Sequence, residues 1–158
     1  MLTTGVRVHE VVGIECDDID FHTQSIRILG KGHRERHVFL PNSWLTALTE
    51  TYLQVRSELD LAHPQLLFNS LYGPLSTQAM RSRLGKATDV AGLNLQITPH
   101  MLRHTAATQL MEAGVDIRYI QRLLGHASLT TTEIYTHVSD SALRRVVTAA
   151  DTLESLLQ

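Results

Sequence analysis

The spacing of apolar and polar positions divides the chain into short helices around one brief sheet. Val6–Val12 reads as a short helix stopped by Gly13. Ser25–Leu29 and Arg36–Leu40 are two β-prone runs, and Gly30-Lys31-Gly32-His33-Arg34-Glu35 between them predicts a hairpin with a basic tip. Alternation of Ile19 and Phe21 makes Ile14–Phe21 a candidate third strand. Asn42 is placed to cap a helix reaching about Leu61, and Ser76 opens another that ends near Gly92, with the short apolar piece Leu66-Leu67-Phe68 between them. Thr98-Pro99 pairs an N-cap with a proline at the first helical position, and that helix runs to Ala113, just before Gly114. Asp116 caps a helix that stops at Gly125. A short helix over Thr130–Tyr135 and a last one from about Asp140 to Leu157 complete the chain. In the last, Leu143, Val146 or Val147, Ala150, Leu153 and Leu157 share a stripe, whose plain structural reading is that it folds back on its own domain, the alternative being a neighbouring protomer. The expected fold is mainly α with a small antiparallel β-sheet (α+β), one domain over residues 1–158.

Composition narrows the function classes. With 158 residues, 43% hydrophobic and 19% charged, the chain suits one domain, and bulk disorder is excluded. No apolar run approaches the ~18 residues of a membrane span. The first twenty residues carry five acids and no basic stretch ahead of an apolar core, so no secretory signal is visible and a cytoplasmic location is expected. The single cysteine, Cys16, excludes an internal disulfide framework and a cysteine-cluster zinc site.

The net charge of −2 taken alone argues against a nucleic-acid partner. Its distribution reverses the argument. Residues 27–37 hold Arg27, Lys31, Arg34 and Arg36 against Glu35, and residues 81–103 hold Arg81, Arg83, Lys86 and Arg103 against Asp89. An acidic protein can therefore present a basic face to phosphates. Arg34, Arg36, Arg81, Arg83 and Lys86 are the candidate DNA contacts.

Several residues carry chemistry in combination. His100 and Arg103 are three apart on a helix and share a face. Arginine offers a planar fork of donors that fits phosphate oxygens, and histidine a donor or proton carrier. Leu124-Gly125-His126 follows, then Tyr135 nine residues after His126. Each residue alone also has a plain structural reading: Arg7 as a surface partner of Glu10, Lys31 and Arg34 as solvated turn charges, Tyr135 as a packing residue. Tyr52, Tyr72 and Tyr119 are read as packing residues. His104 lies four residues after His100, a metal-pair spacing, but the zinc-protease pattern needs Glu where Met101 stands. His104 is read as a structural residue hydrogen-bonded in the core.

Five ordered motifs resemble the catalytic domain of the tyrosine recombinase (phage integrase) family over nearly the whole chain. They are Thr4-Gly5-Val6-Arg7-Val8-His9-Glu10, Gly30-Lys31-Gly32-His33-Arg34-Glu35-Arg36, His100-Met101-Leu102-Arg103, Leu124-Gly125-His126, and Tyr135. The resemblance implies that Arg7, Lys31, His100, Arg103 and His126 surround a scissile DNA phosphate, that Tyr135 attacks it, and that Glu10 supports the site. It implies double-stranded DNA as partner, a homotetramer on DNA, and no cofactor, metal or membrane. The chemistry is consistent: two guanidinium groups and histidine donors can stabilise the charge of a phosphoryl transition state without a metal.

The family's catalytic domain opens with a further helix, preceded by a DNA-clamping domain. Only Met1-Leu2-Thr3 stand ahead of the first motif, so both are expected to be absent. That would leave an apolar strip exposed near Val8, Val11 and Val12. The competing readings are a type IB topoisomerase-like nicking-closing enzyme, a remnant acting as a weak DNA-binding or interaction module, and a histidine-based metalloprotein.

Overall fold

A computed structural model describes residues 1–30, 32, 34–125 and 140–150. Among these, helices α1 (Val8–Gly13), α2 (Ser43–Ser57), α3 (Thr77–Val90), α4 (Pro99–Glu112), α5 (Ile117–Leu124) and α6 (Asp140–Ala149) surround three strands. The strands β1 (Ile19–Asp20), β2 (Ser25–Leu29) and β3 (Glu35–Phe39) form an antiparallel meander. The fold is thus mainly α with a small antiparallel sheet. No helix among the described residues is long and apolar enough to cross a membrane.

Local chemistry sets the element ends. Asn42, Ser76, Thr98 and Asp116 each place a side-chain oxygen on a backbone N–H of the helix they precede. Pro99 fills the first position of α4, where no backbone donor is needed. Gly125 ends α5 in the left-handed conformation. Helix α2 stops at Ser57, short of Leu61, because the chain leaves it through Asp60, which has positive φ. Arg56 then holds the returning loop by the carbonyls of His63 and Gln65. The third strand is only two residues long, because Cys16–Asp18 forms a tight 3-10 turn instead.

The core joins the sheet to the later helices. Ile28 and Val38 of the hairpin meet Leu110 of α4, Ile120, Leu123 and Leu124 of α5, and Leu143 and Val147 of α6. Helix α6 packs on β3, and Arg144 donates to the Gln24 side chain, so this part of the last helix does fold back on its own domain. Residues Leu153 and Leu157 lie outside the described residues, as does the short helix expected over Thr130–Tyr135.

Two expectations fail here. Val8, Val11 and Val12 are half-buried, and Val11 packs on the core, because α1 lies against α3 and β2. His104 is exposed on α4 rather than held in the core, since the inward face of that helix is taken by Arg103, Ala106 and Leu110. Of the tyrosines read as packing residues, Tyr52 donates to the Leu66 carbonyl and stacks on Phe68, Tyr119 packs on the core, and Tyr72 is exposed but stacked on Phe68.

Candidate active site

The site is built around three arginines from three elements remote in sequence. Arg7 precedes α1 in extended backbone. Arg36 stands on β3, and Arg103 on the second turn of α4. All three reach the C-terminal end of α5. Arg36 Nε donates to the Leu123 carbonyl at 2.9 Å, Arg103 Nη2 to the Leu124 carbonyl at 2.8 Å, and Arg7 Nη2 to the Gly125 carbonyl at 3.4 Å. The last carbonyls of a helix lack intrahelical donors and carry the negative end of its dipole, so they suit cations.

Gly5 fixes the geometry on the other side. Its carbonyl accepts from Arg103 Nη1. Its φ is +61°, and a Cβ there would sit 2.3 Å from Leu124 Cδ2. The positive φ favours glycine, and a Cβ would also push the Leu124 side chain aside. Arg103 is 9% exposed. Burial first, and then the neighbouring Arg7 charge, lower its pKa to about 10, so it stays protonated at neutral pH.

Glu10 is the one carboxylate in the cluster's interior, with a fully buried side chain. Arg36 grips it with two parallel bonds, Nη1 to Oε1 and Nη2 to Oε2, both 2.8 Å. The Arg7 backbone N–H adds a bond to Oε2 at 2.7 Å, and Arg7 Nη1 a longer one to Oε1 at 3.2 Å. Burial alone would raise the Glu10 pKa. The bonds from Arg36 and the Arg7 N–H, with the two guanidinium charges, override it and hold the carboxyl down at about 2.

Beside this cluster lies an open cleft of about 240 Å³, lined by Arg7, Val8, Arg81, Thr98, Pro99, His100 and Arg103. Among the described residues three arginines and a histidine face it and no carboxylate does, which suits an anion the size of a phosphodiester. His100 is exposed on the first turn of α4, where the helix's positive end also favours an anion. Among the described residues there is no group of three histidine, cysteine or acidic side chains able to hold a metal.

The structure therefore brings Arg7, His100 and Arg103 together, with Glu10 behind Arg7. Lys31, His126 and Tyr135 lie outside the described residues, as does His33. Of the expected DNA contacts, Arg81 joins the cleft. Arg34 and Lys86 are exposed, and Arg83 is exposed but donates to the Phe68 carbonyl. Arg36 departs from its expected place: its side chain is 12% exposed, and all three of its nitrogens donate inward. Arg27, counted in the basic stretch, is paired with Asp18 and Glu35. The sequence reading missed Thr98 and Pro99 as cleft walls and the carbonyls of Gly5, Leu123 and Leu124 as arginine anchors. Arg36 did carry a signal: it alternates with Val38, two residues on, and pairs across the hairpin with buried Ile28, so period two places it on the inner face.

Comparison with known proteins places the sequence and the fold among recombinases. The chain is 44% identical over 151 residues to the tyrosine recombinase XerD of Mycobacterium tuberculosis, which covers 92% of the chain and 48% of that relative. It spans about half the length of the curated relatives it matches. The crystal structure of XerA recombinase superposes with a TM-score of 0.75 at 35% identity, covering 92% of this chain and 53% of that one. A pre-cleavage complex of the XerH site-specific recombinase bound to its difH substrate gives 0.71 at 30% identity, covering 91% and 43%. The Phage integrase family profile matches residues 1–142, and with the arginine and histidine motifs assembled around one cleft, the chain belongs to the phage integrase family.

Proposed function

We propose that this chain is the catalytic part of a site-specific DNA recombinase that cleaves and rejoins strands through a 3′-phosphotyrosyl intermediate. The convergence of Arg7, His100 and Arg103 on one cleft, whose described lining holds no carboxylate, carries the reading. A phosphodiester is already an anion, and its transition state spreads further charge over the equatorial oxygens. Two guanidinium groups held in place before the substrate arrives stabilise that charge with little reorganisation.

The sequence supplies the reacting groups. Tyr135 Oη attacks phosphorus and gives up its proton as the bond forms. The bond to the 5′ oxygen breaks, and that oxygen takes a proton from a general acid, a role that suits Lys31. Deprotonating a tyrosine of pKa ~10 costs ~4 kcal/mol near neutral pH, and adjacent arginine and histidine donors, His126 among them, reduce that cost. The phosphotyrosyl ester conserves the bond energy for attack by another strand's 5′ hydroxyl. The substrate is double-stranded DNA, and exchange between two duplexes calls for a homotetramer. Glu10 is a supporting residue, while Arg34, Arg81 and Lys86 on the exposed surface add phosphate contacts.

A nicked suicide duplex tests this reading. It should trap the protein covalently on the 3′ phosphate, and Tyr135→Phe should abolish the trapped species. Undiminished trapping by Tyr135→Phe, or none by the unaltered chain with saturating DNA, would overturn it.

A further inference from the structure

The buried carboxylate behind Arg7 poses an electrostatic problem. Glu10 lies next to an arginine that has to face an anion in the cleft. In a low-dielectric interior a carboxylate attracts the nearest cation strongly. Left as the only cation beside Glu10, Arg7 would close on it with both forks and turn its donors away from the cleft. The structure shows the opposite arrangement. Both Glu10 oxygens are already taken at 2.8 Å by Arg36, and Arg7 keeps only a longer side-chain contact at 3.2 Å.

Arg36 has further neighbours that fit such a role. Its Nε holds the Leu123 carbonyl, and a Cβ on Gly125 would lie 3.2 Å from its Cδ, Nε and Cζ. A Cβ on Gly30 would lie 3.7 Å from its Nη1. The side chain therefore fits closely against Gly125 at the end of α5, where a Cβ would crowd it, and lies within ordinary contact distance of Gly30 at the foot of the hairpin tip.

We propose that Arg36 is a positioning residue: by neutralising Glu10 and tying β3 to the end of α5, it leaves the Arg7 guanidinium free to bind the phosphate. It does not itself touch DNA. This inference rests on the proposed function for its main assay, but its physical content, the release of an arginine by a second arginine, is testable without it.

The test is a double-mutant cycle of wild type, Arg36→Met, Glu10→Gln and the two changes combined, with Arg36→Lys as a fifth protein. Single-turnover cleavage of a nicked suicide duplex is measured at saturating DNA and expressed per folded molecule by circular dichroism. Duplex affinity is measured at several salt concentrations. Arg36→Met is expected to lower the rate at saturation about 10²-fold, the loss typical of one misplaced transition-state donor. Duplex affinity should fall far less than the rate, with a salt slope reduced by no more than the one contact of Arg7. Adding Glu10→Gln should recover at least about tenfold of the rate, since a neutral amide no longer draws Arg7 inward. Arg36→Lys, which keeps the charge without the fork, should fall between wild type and Arg36→Met, and it carries the test if Arg36→Met does not fold. A salt slope reduced by about one with the rate at saturation unchanged would mean a direct phosphate contact and overturn the inference. So would a combined variant no faster than Arg36→Met. If wild type itself does not cleave, the proposed function falls, and inorganic phosphate binding by the same proteins decides the inference. Weaker binding by Arg36→Met, restored in the combined variant, supports it; equal binding by all overturns it.

Discussion

Arg103 donates to the carbonyl of Gly5, two residues ahead of Arg7, so the backbone that sets one arginine also holds the other. The contact requires Gly5 to keep a positive φ and to lie against Leu124. Gly5→Ala is therefore expected to destabilise the domain by about 1–3 kcal/mol and to lower cleavage per folded molecule. Chemical denaturation beside single-turnover cleavage measures both. Wild-type stability in Gly5→Ala would show that the approach to α5 is not tight.

Arg103 also predicts a split between binding and chemistry. Its guanidinium reaches two carbonyls while facing the cleft, a geometry that needs a planar fork. Arg103→Lys should reduce cleavage at saturating DNA by about 10²–10³-fold and change duplex affinity far less. Single-turnover kinetics with a parallel binding titration measure the split.

Glu10 makes a pH prediction. Its carboxyl is held down at about 2, below the ordinary value of 4.5. A depressed acid contributes stability that is fully present above pH 4.5 and lost as pH falls towards 2, here on the order of 3 kcal/mol. Glu10→Gln should be less stable than wild type at neutral pH, with the difference shrinking across that window. Denaturation midpoints from pH 6 down to pH 2 are the readout.

Arg81 and Arg83 are two residues apart on α3 and should behave differently. Arg81 lines the cleft, whereas Arg83 holds the Phe68 carbonyl. Arg81→Ala should weaken duplex binding and reduce its salt slope by about one, while Arg83→Ala should leave the slope nearly unchanged.

The proposed chemistry draws its charge stabilisation from arginine and histidine. Cleavage in EDTA should therefore match cleavage in magnesium. Complete loss in EDTA, restored by added metal, would show that His100 and His126 have been assigned the wrong chemistry.

Much of this was legible in the sequence for local reasons. Asn42, Ser76, Thr98 and Asp116 announce their helices because capping depends only on neighbours within a turn. His100 and Arg103 share a face for the same reason. Arg36 was misjudged because its charge suggested solvent, while its partners, Glu10 and Leu123, are contributed by other elements. His104 was misplaced in the core because helical spacing relates residues to one another but does not say which side of a helix meets the sheet. The strip around Val8, Val11 and Val12 is expected to be bare only because a preceding helix is taken to be missing, and no local pattern reveals that α3 lies against α1.

The three successive carbonyls at the end of α5 bear on how the protein is made. Arg36 lies 87 residues before its anchor there, Arg7 118 residues and Arg103 21. During synthesis all three arginines emerge before the short stretch that gathers them. Until residues 123–125 have left the ribosome and docked, the arginines have no common anchor. The three guanidinium groups thus gain their shared anchor only when this last stretch docks, and a half-made chain cannot yet hold them together.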